Sequence, residues 1–177
     1  MNCITHNETI DLILNSYKNE LADNFEQYRN HVYRVYNFAS KGVADQKDSK
    51  TVAIAAAFHD LGIWTNKTFD YIQPSIELAK HYCMANSMDS ETCAEIEMII
   101  ENHHKLTKIK KSELAEVFRQ ADLIDLTWGL IRKQIDRKTI RTIKAAFPNK
   151  GFHLNLSQLF IKNLFLNPFK PLPMYKW

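Results

Sequence analysis

Thr51-Val52-Ala53-Ile54-Ala55-Ala56-Ala57-Phe58-His59-Asp60-Leu61-Gly62 is the stretch on which the reading of the fold turns. From Val52 to Phe58 every residue is apolar, so no polar face appears at a period of either 2 or 3.6. A helix that is apolar on every side is a helix buried on every side. The run predicts a helix opened by Asp48 or Ser49, covering Thr51 to Phe58 and stopped at Leu61-Gly62. His59-Asp60 closes it. Burying a carboxylate in apolar surroundings costs several kcal/mol unless a cation is near. The carbonyl oxygens at a helix C-terminus carry partial negative charge and make the site worse for an anion. A divalent metal would satisfy the acid and the imidazole together. The alternative is a helix end that emerges into water with both side chains hydrated.

Outward from this run, the chain reads at helical period. Asn7 caps a predicted helix through Ile10, Leu14, Tyr17 and Leu21. A second covers about Phe25 to Ala39, with Tyr28, Val32, Val35 and Tyr36 on one face. After a loop over 63–73, Pro74-Ser75 opens a helix through Ile76, Ala79 and Tyr82. Asp89-Ser90 caps one whose Ile96, Ile99, Ile100 and His103 share a face, and Ser112 starts another through Phe118 and Leu126. Further helices are expected near Asp136–Phe147 and Asn155–Leu166, then an extended C-terminal tail from Pro168. With 4 glycines and 5 prolines the chain lacks the turns of a sandwich or barrel. The fold class expected is all-α: a single compact multi-helix bundle over 1–177.

The 177 residues suit one domain. A content of 45% hydrophobic and 24% charged residues is that of an ordinary globular chain. No run approaches the roughly 18 apolar residues of a membrane span, and residues 1–8 lack the basic and apolar regions of a secretory signal. Cys3, Cys83 and Cys93 are odd in number and sparsely spaced, so reduced thiols and a cytoplasmic location are expected. A net charge of +3 argues against nucleic acid as a partner.

Three positions elsewhere bear on His59-Asp60. His31 lies in "HVYRV" one turn before Arg34, His103-His104 ends the isoleucine-rich helix, and Asp122 is an acid within "QADLIDL". With "AAAFHDLG" around the pair, this order of His, His-Asp, His and Asp resembles the HD-domain superfamily of metal-dependent phosphohydrolases. The resemblance spans about 25–126; residues 127–177 would be added helices and the tail.

The resemblance implies that His31, His59, Asp60 and Asp122 bind one divalent transition metal. Mixed nitrogen and oxygen ligands suit manganese, iron, cobalt, nickel or zinc. Two-metal relatives carry a histidine before a helix-opening proline, where this chain has Gln73 before Pro74; that favours one ion. His103 and His104 could fill another extra place, and His81 is a weaker candidate. No GYP triplet follows His103-His104, and Ile63 stands three places after Asp60, so the cyclic-dinucleotide branch is set aside.

The activity implied is hydrolysis of a small anionic phosphate ester or nucleotide by metal-bound hydroxide. A hydratase, an oxygenase or a silent binding module remain as alternatives. In this reading Asp60 orients the water and His103 is the general acid, or else a helix-end histidine packed under the isoleucine face. His104, offset by about 100°, is expected to be exposed. Arg34 clamps phosphate oxygens, or else pairs with Asp122, Asp125 or an acid of the first helix and orients a ligand. Asp125 supports the site or makes an ordinary salt bridge. Lys105, Lys108, Lys110 and Lys111 draw in the substrate or form a solvated connector. Trp64, Phe69 and Tyr71 wall the pocket or close the core. The tail docks on the body, capping a pocket or making a homodimer contact.

Overall fold

Asp45 accepts a hydrogen bond from the amide of Asp48 and starts the central helix at Gln46. This is earlier than the apolar pattern indicated, because the first turn is polar and faces solvent. In the structure, a computed structural model that describes residues 3–169 and 173–174, every regular element is helical. In chain order the elements are α1 (Glu8–Ser16), α2 (Lys18–Leu21), a 3-10 turn (Ala22–Asn24), α3 (Phe25–Ala39), α4 (Gln46–Phe58) and α5 (Gly62–Thr65). They continue with α6 (Ile72–Ala85), α7 (Ser90–Asn102), α8 (Glu113–Leu126), α9 (Arg137–Ala146) and α10 (Phe152–Leu166). No helix among the described residues is long and apolar enough to cross a membrane.

Helix α4 is the hub of a compact bundle. It packs on α1, α3, α6, α7 and α8, and every residue from Val52 to Phe58 is 0% exposed. Its alanines have no side chain beyond Cβ, so neighbouring backbones come close on all sides. Helix α3 packs along α8, and α7 lies between α6 and α8. The middle of α3, the C-terminal ends of α4 and α7, and the second half of α8 thereby meet in the interior.

Several boundaries differ from the sequence reading for local reasons. The first helix is broken at Tyr17 (φ −111°), next to a Ser16 hydroxyl that donates back to the Ile13 carbonyl. Helix α6 begins at Ile72, so Pro74 occupies its first turn. Helix α10 begins at Phe152, after Gly151 at φ +95°. Of the expected tail, Met174 is buried at 4% exposure, whereas 170–172 and 175–177 lie outside the described residues.

Gly62 does not end the chain's helical course. It begins α5, and its amide donates to the Ser75 hydroxyl at 3.0 Å. A Cβ here would lie 2.6 Å from the Tyr71 carbonyl oxygen and 3.0 Å from the Ser75 nitrogen, both backbone atoms. The bare glycine lets α5 lie against the start of α6 and brings Tyr71 under the site. Gly62→Ala is expected to cost about 1–3 kcal/mol, read as a lowered urea midpoint with unchanged m-value. A midpoint equal to the parent's would contradict this account.

Candidate metal centre

Four helices deliver the polar residues of the interior. His31 comes from the middle of α3, His59 and Asp60 from the end of α4, His103 from the end of α7, and Asp122 and Asp125 from α8. All six are at most 3% exposed. His31 Nε2 lies 2.9 Å from His59 Nε2, and each of these nitrogens lies 3.4 Å from Asp60 Oδ2. Asp122 Oδ1 is 3.8 Å from both.

The outer ring nitrogens fix what the inner ones can do. His59 Nδ1 faces the Ala56 carbonyl at 2.8 Å, and His103 Nδ1 faces the Ile100 carbonyl at 2.8 Å. His31 Nδ1 faces Asp125 Oδ2 at 2.8 Å. Carbonyls and an ionised carboxylate only accept, so each Nδ1 carries the proton and donates it. The Nε2 atoms of three histidines therefore turn inward, and each presents a lone pair there whenever its ring is neutral. Two such lone pairs 2.9 Å apart repel unless a proton or a metal cation stands between them. Asp60 Oδ1 and His103 Nε2, 3.4 Å apart, are likewise buried with no hydrogen-bond partner. Around an ion with bonds of about 2.1 Å, neighbouring ligand atoms sit about 3.0–3.4 Å apart in octahedral or tetrahedral arrangements. The His31, His59 and Asp60 cluster is geometrically suited to hold one divalent metal ion.

The electrostatics favour a cation. Helices α4 and α7 both end at the site, where the partial negative charge of a helix C-terminus favours a cation. Burial alone would strip the proton from His31, but the Asp125 and Asp60 carboxylates outweigh it and raise its pKa to about 9. Burial lowers His59 to about 3, against the pull of Asp60 and with help from the neighbouring imidazoles. Burial pushes Asp122 up to about 6. Asp60 is held well below the usual carboxylate range: burial opposes its ionisation, and His59, His103 and His31 overcome it.

Arg34 does not face this cavity as a free clamp. Its Nε donates to Asp125 Oδ1 at 2.6 Å, Nη2 donates to Oδ2 at 2.9 Å, and Nη1 donates to the Phe147 carbonyl at 3.0 Å. A guanidinium 1% exposed with all three nitrogens engaged has no fork left for phosphate. The clamp expected at Arg34 gives way to the pairing alternative: Arg34 fixes Asp125, and Asp125 fixes the His31 ring. Phe152 of α10 stacks on that ring, with centroids 4.1 Å apart and planes 15° apart.

His104 is also placed otherwise than expected. It follows α7 in a turn, where the 100° step of a helix no longer applies, so its ring folds inward. Its Nδ1 is 3.7 Å from Asp122 Oδ2, and its Nε2 meets the Tyr71 hydroxyl at 2.7 Å. Asp60, His103 and His104 form a second trio whose ligand atoms lie within 4.8 Å of one another. Gln73 is exposed and donates to Glu77, and His81 is exposed on α6, so neither reaches the centre.

A cleft of 70 Å³ opens beside His103, His104 and Asp122, with Lys105 at its edge. Lys108 and Lys110 line a different cleft. The connector is turned this way by Glu116, which accepts from the Ile109 amide at 2.9 Å, and by Arg119, which donates to the Lys105 carbonyl at 3.2 Å. Sequence reasoning missed Phe152, which lies 121 positions from His31 and carries no local signal. Comparisons with family models, with curated proteins and with solved structures found no match.

Proposed function

We propose that this chain is a metal-dependent hydrolase of the HD-domain superfamily, forming one helical unit over 1–177 and acting on a small phosphate ester or nucleotide. The observation that carries this reading is the set of inward-turned Nε2 atoms grouped with Asp60. Together with the order His31, His59-Asp60, His103, Asp122 along the chain, it supports a site built for an ion and not a hydrated helix end. His31, His59, Asp60 and Asp122 would hold the metal. Such an ion lowers the pKa of its water from 15.7 toward about 7 and polarises a phosphoryl oxygen.

The remaining work falls to the chain. Asp60 Oδ1, turned toward His103, accepts a proton from the attacking water. His103 holds its exchangeable proton on Nε2, since Nδ1 is committed to the Ile100 carbonyl. Asp60 raises its pKa against the effect of burial, which keeps that proton available for a leaving oxygen at neutral pH. Arg34 and Asp125 hold the His31 tautomer and touch no reacting atom. The cleft at His104 and Lys105 admits a small anionic group. The free thiols of Cys3, Cys83 and Cys93 fit a reducing, cytoplasmic setting.

The test is elemental analysis of the purified chain followed by a metal-reconstituted panel of nucleotides and sugar phosphates. About one ion per chain is expected, with activity and metal both lost in His59→Ala/Asp60→Ala. A double variant that keeps stoichiometric metal after dialysis would overturn the assignment. A second reading is carried by the trio of Asp60, His103 and His104: a ratio near two, with Asp60 shared between ions. Two irons and an oxygen-dependent colour would move the reaction to oxygenation.

A further inference from the structure

Helix α8 has two working faces. Asp122 and Asp125 look into the metal centre, whereas Val117, Gln120 and Ile124 line the 860 Å³ cleft that receives Lys108 and Lys110. This volume lies within the usual range for pockets that enclose an organic ligand, about 300–1,000 Å³, and far exceeds the opening beside His104. Its floor is apolar, built from Phe38, Ile109, Val117, Ile124 and Ile135.

Its wall is cationic. Lys41, Lys108, Lys110 and Lys133 all border the cleft. Among the described residues none of the four has a carboxylate within 4.0 Å, as holds for most lysines outside the pairs of Lys47, Lys80 and Lys150. Two acids share the lining, Glu113 and Glu116. Glu116 is not available to neutralise the lysines, because Arg119 takes both its oxygens at 2.8 and 2.7 Å, which leaves Glu113 against four lysines in the lining. Four lysines bordering one cleft raise its positive potential, which favours an anion, and the apolar surface among them favours an organic body over water.

We propose that this cleft binds an organic anion with an apolar body, at a site separate from the metal centre and backed onto it through α8. The lysines take the charged group and the floor takes the body. The pairing of an apolar bed with a cationic rim sets the ligand class: neither a bare inorganic anion nor a neutral hydrocarbon satisfies both parts. The site stands independently of the hydrolase reading, since it uses none of the metal-centre residues.

The probes are anilinonaphthalene sulfonate and its uncharged counterpart phenylnaphthylamine, titrated by fluorescence into the intact chain. The two share an apolar body and differ in charge. The sulfonate is expected to bind at one site at least about tenfold tighter than the neutral dye at low salt, with the advantage shrinking as salt rises. Lys108→Glu/Lys133→Glu, both surface changes, should remove that advantage and leave the neutral dye's affinity within about twofold. Val117→Trp, which fills the floor, should weaken both dyes, with a thermal melt checking that it folds. Saturating manganese should leave the sulfonate bound. Equal affinity for the two dyes would overturn the proposal, as would sulfonate binding untouched by the lysine exchange or stoichiometric displacement by manganese.

Discussion

Asp125→Ala is expected to destabilise the fold by about 3–5 kcal/mol, a larger loss than any single metal-ligand substitution in the metal-free protein. Arg34 is 1% exposed, and Asp125 receives two of its three guanidinium hydrogen bonds. Removing the acid leaves a buried cation with the Phe147 carbonyl as its remaining hydrogen-bond acceptor. For a chain of this length the loss corresponds to a drop in Tm of about 6–20 °C. Arg34→Met/Asp125→Leu removes both charges and is expected to recover most of that stability. It is not expected to recover the site. His31 Nδ1 loses its acceptor, the ring loses its enforced tautomer, and metal affinity falls about 10–100-fold. Calorimetry of the three proteins, with metal titrations on the double variant, separates the two roles. Full metal affinity in the double variant would show that Asp125 serves Arg34 alone.

Metal affinity should also rise steeply with pH. With its pKa raised to about 9, His31 holds a proton on Nε2 at neutrality, in the place an ion would take. Binding must expel it. Between about pH 6, where Asp122 titrates, and about pH 9, each unit is therefore expected to tighten binding about tenfold, with release of about one proton per ion. Below pH 6 the dependence steepens as Asp122 also takes a proton, and above 9 it levels. The stability of the metal-free protein runs the other way. A histidine whose pKa is raised on folding stabilises fully below its unfolded value near 6.5, and that contribution is lost as pH climbs through 9. The metal-free protein should weaken over the interval in which the loaded protein strengthens. Isothermal titration in two buffers of different ionisation enthalpy measures the proton count; a pH-independent affinity would rule the scheme out.

The sequence made some of this legible and hid the rest for physical reasons. The apolar run at Val52–Phe58 announced α4 because burial on every side leaves no polar residue in the pattern. The helix over about Phe25 to Ala39 was readable, since its apolar face recurs at helical period. The start of α4 was not, because its first turn is exposed and Asp45 was needed to mark it. The cluster of His31, His59 and Asp60 could be expected from order and context. Which way each ring turns could not, because the answer lies in backbone carbonyls such as those of Ala56 and Ile100. Arg34 left two readings open, and only the position of Asp125 across α8 decides between them. His104 was misread because a helical rule was applied two residues past the end of α7.

Side chains at most 3% exposed leave an incoming ion a narrow approach, through the small cleft beside His103, His104 and Asp122. Exchange at such a place is governed by how often the surrounding helices part, not by how tightly the occupant is gripped. An ion caught as the polypeptide closes around it would then be slow to leave, and cellular supply at the moment of synthesis would weigh beside thermodynamic preference in setting the occupant.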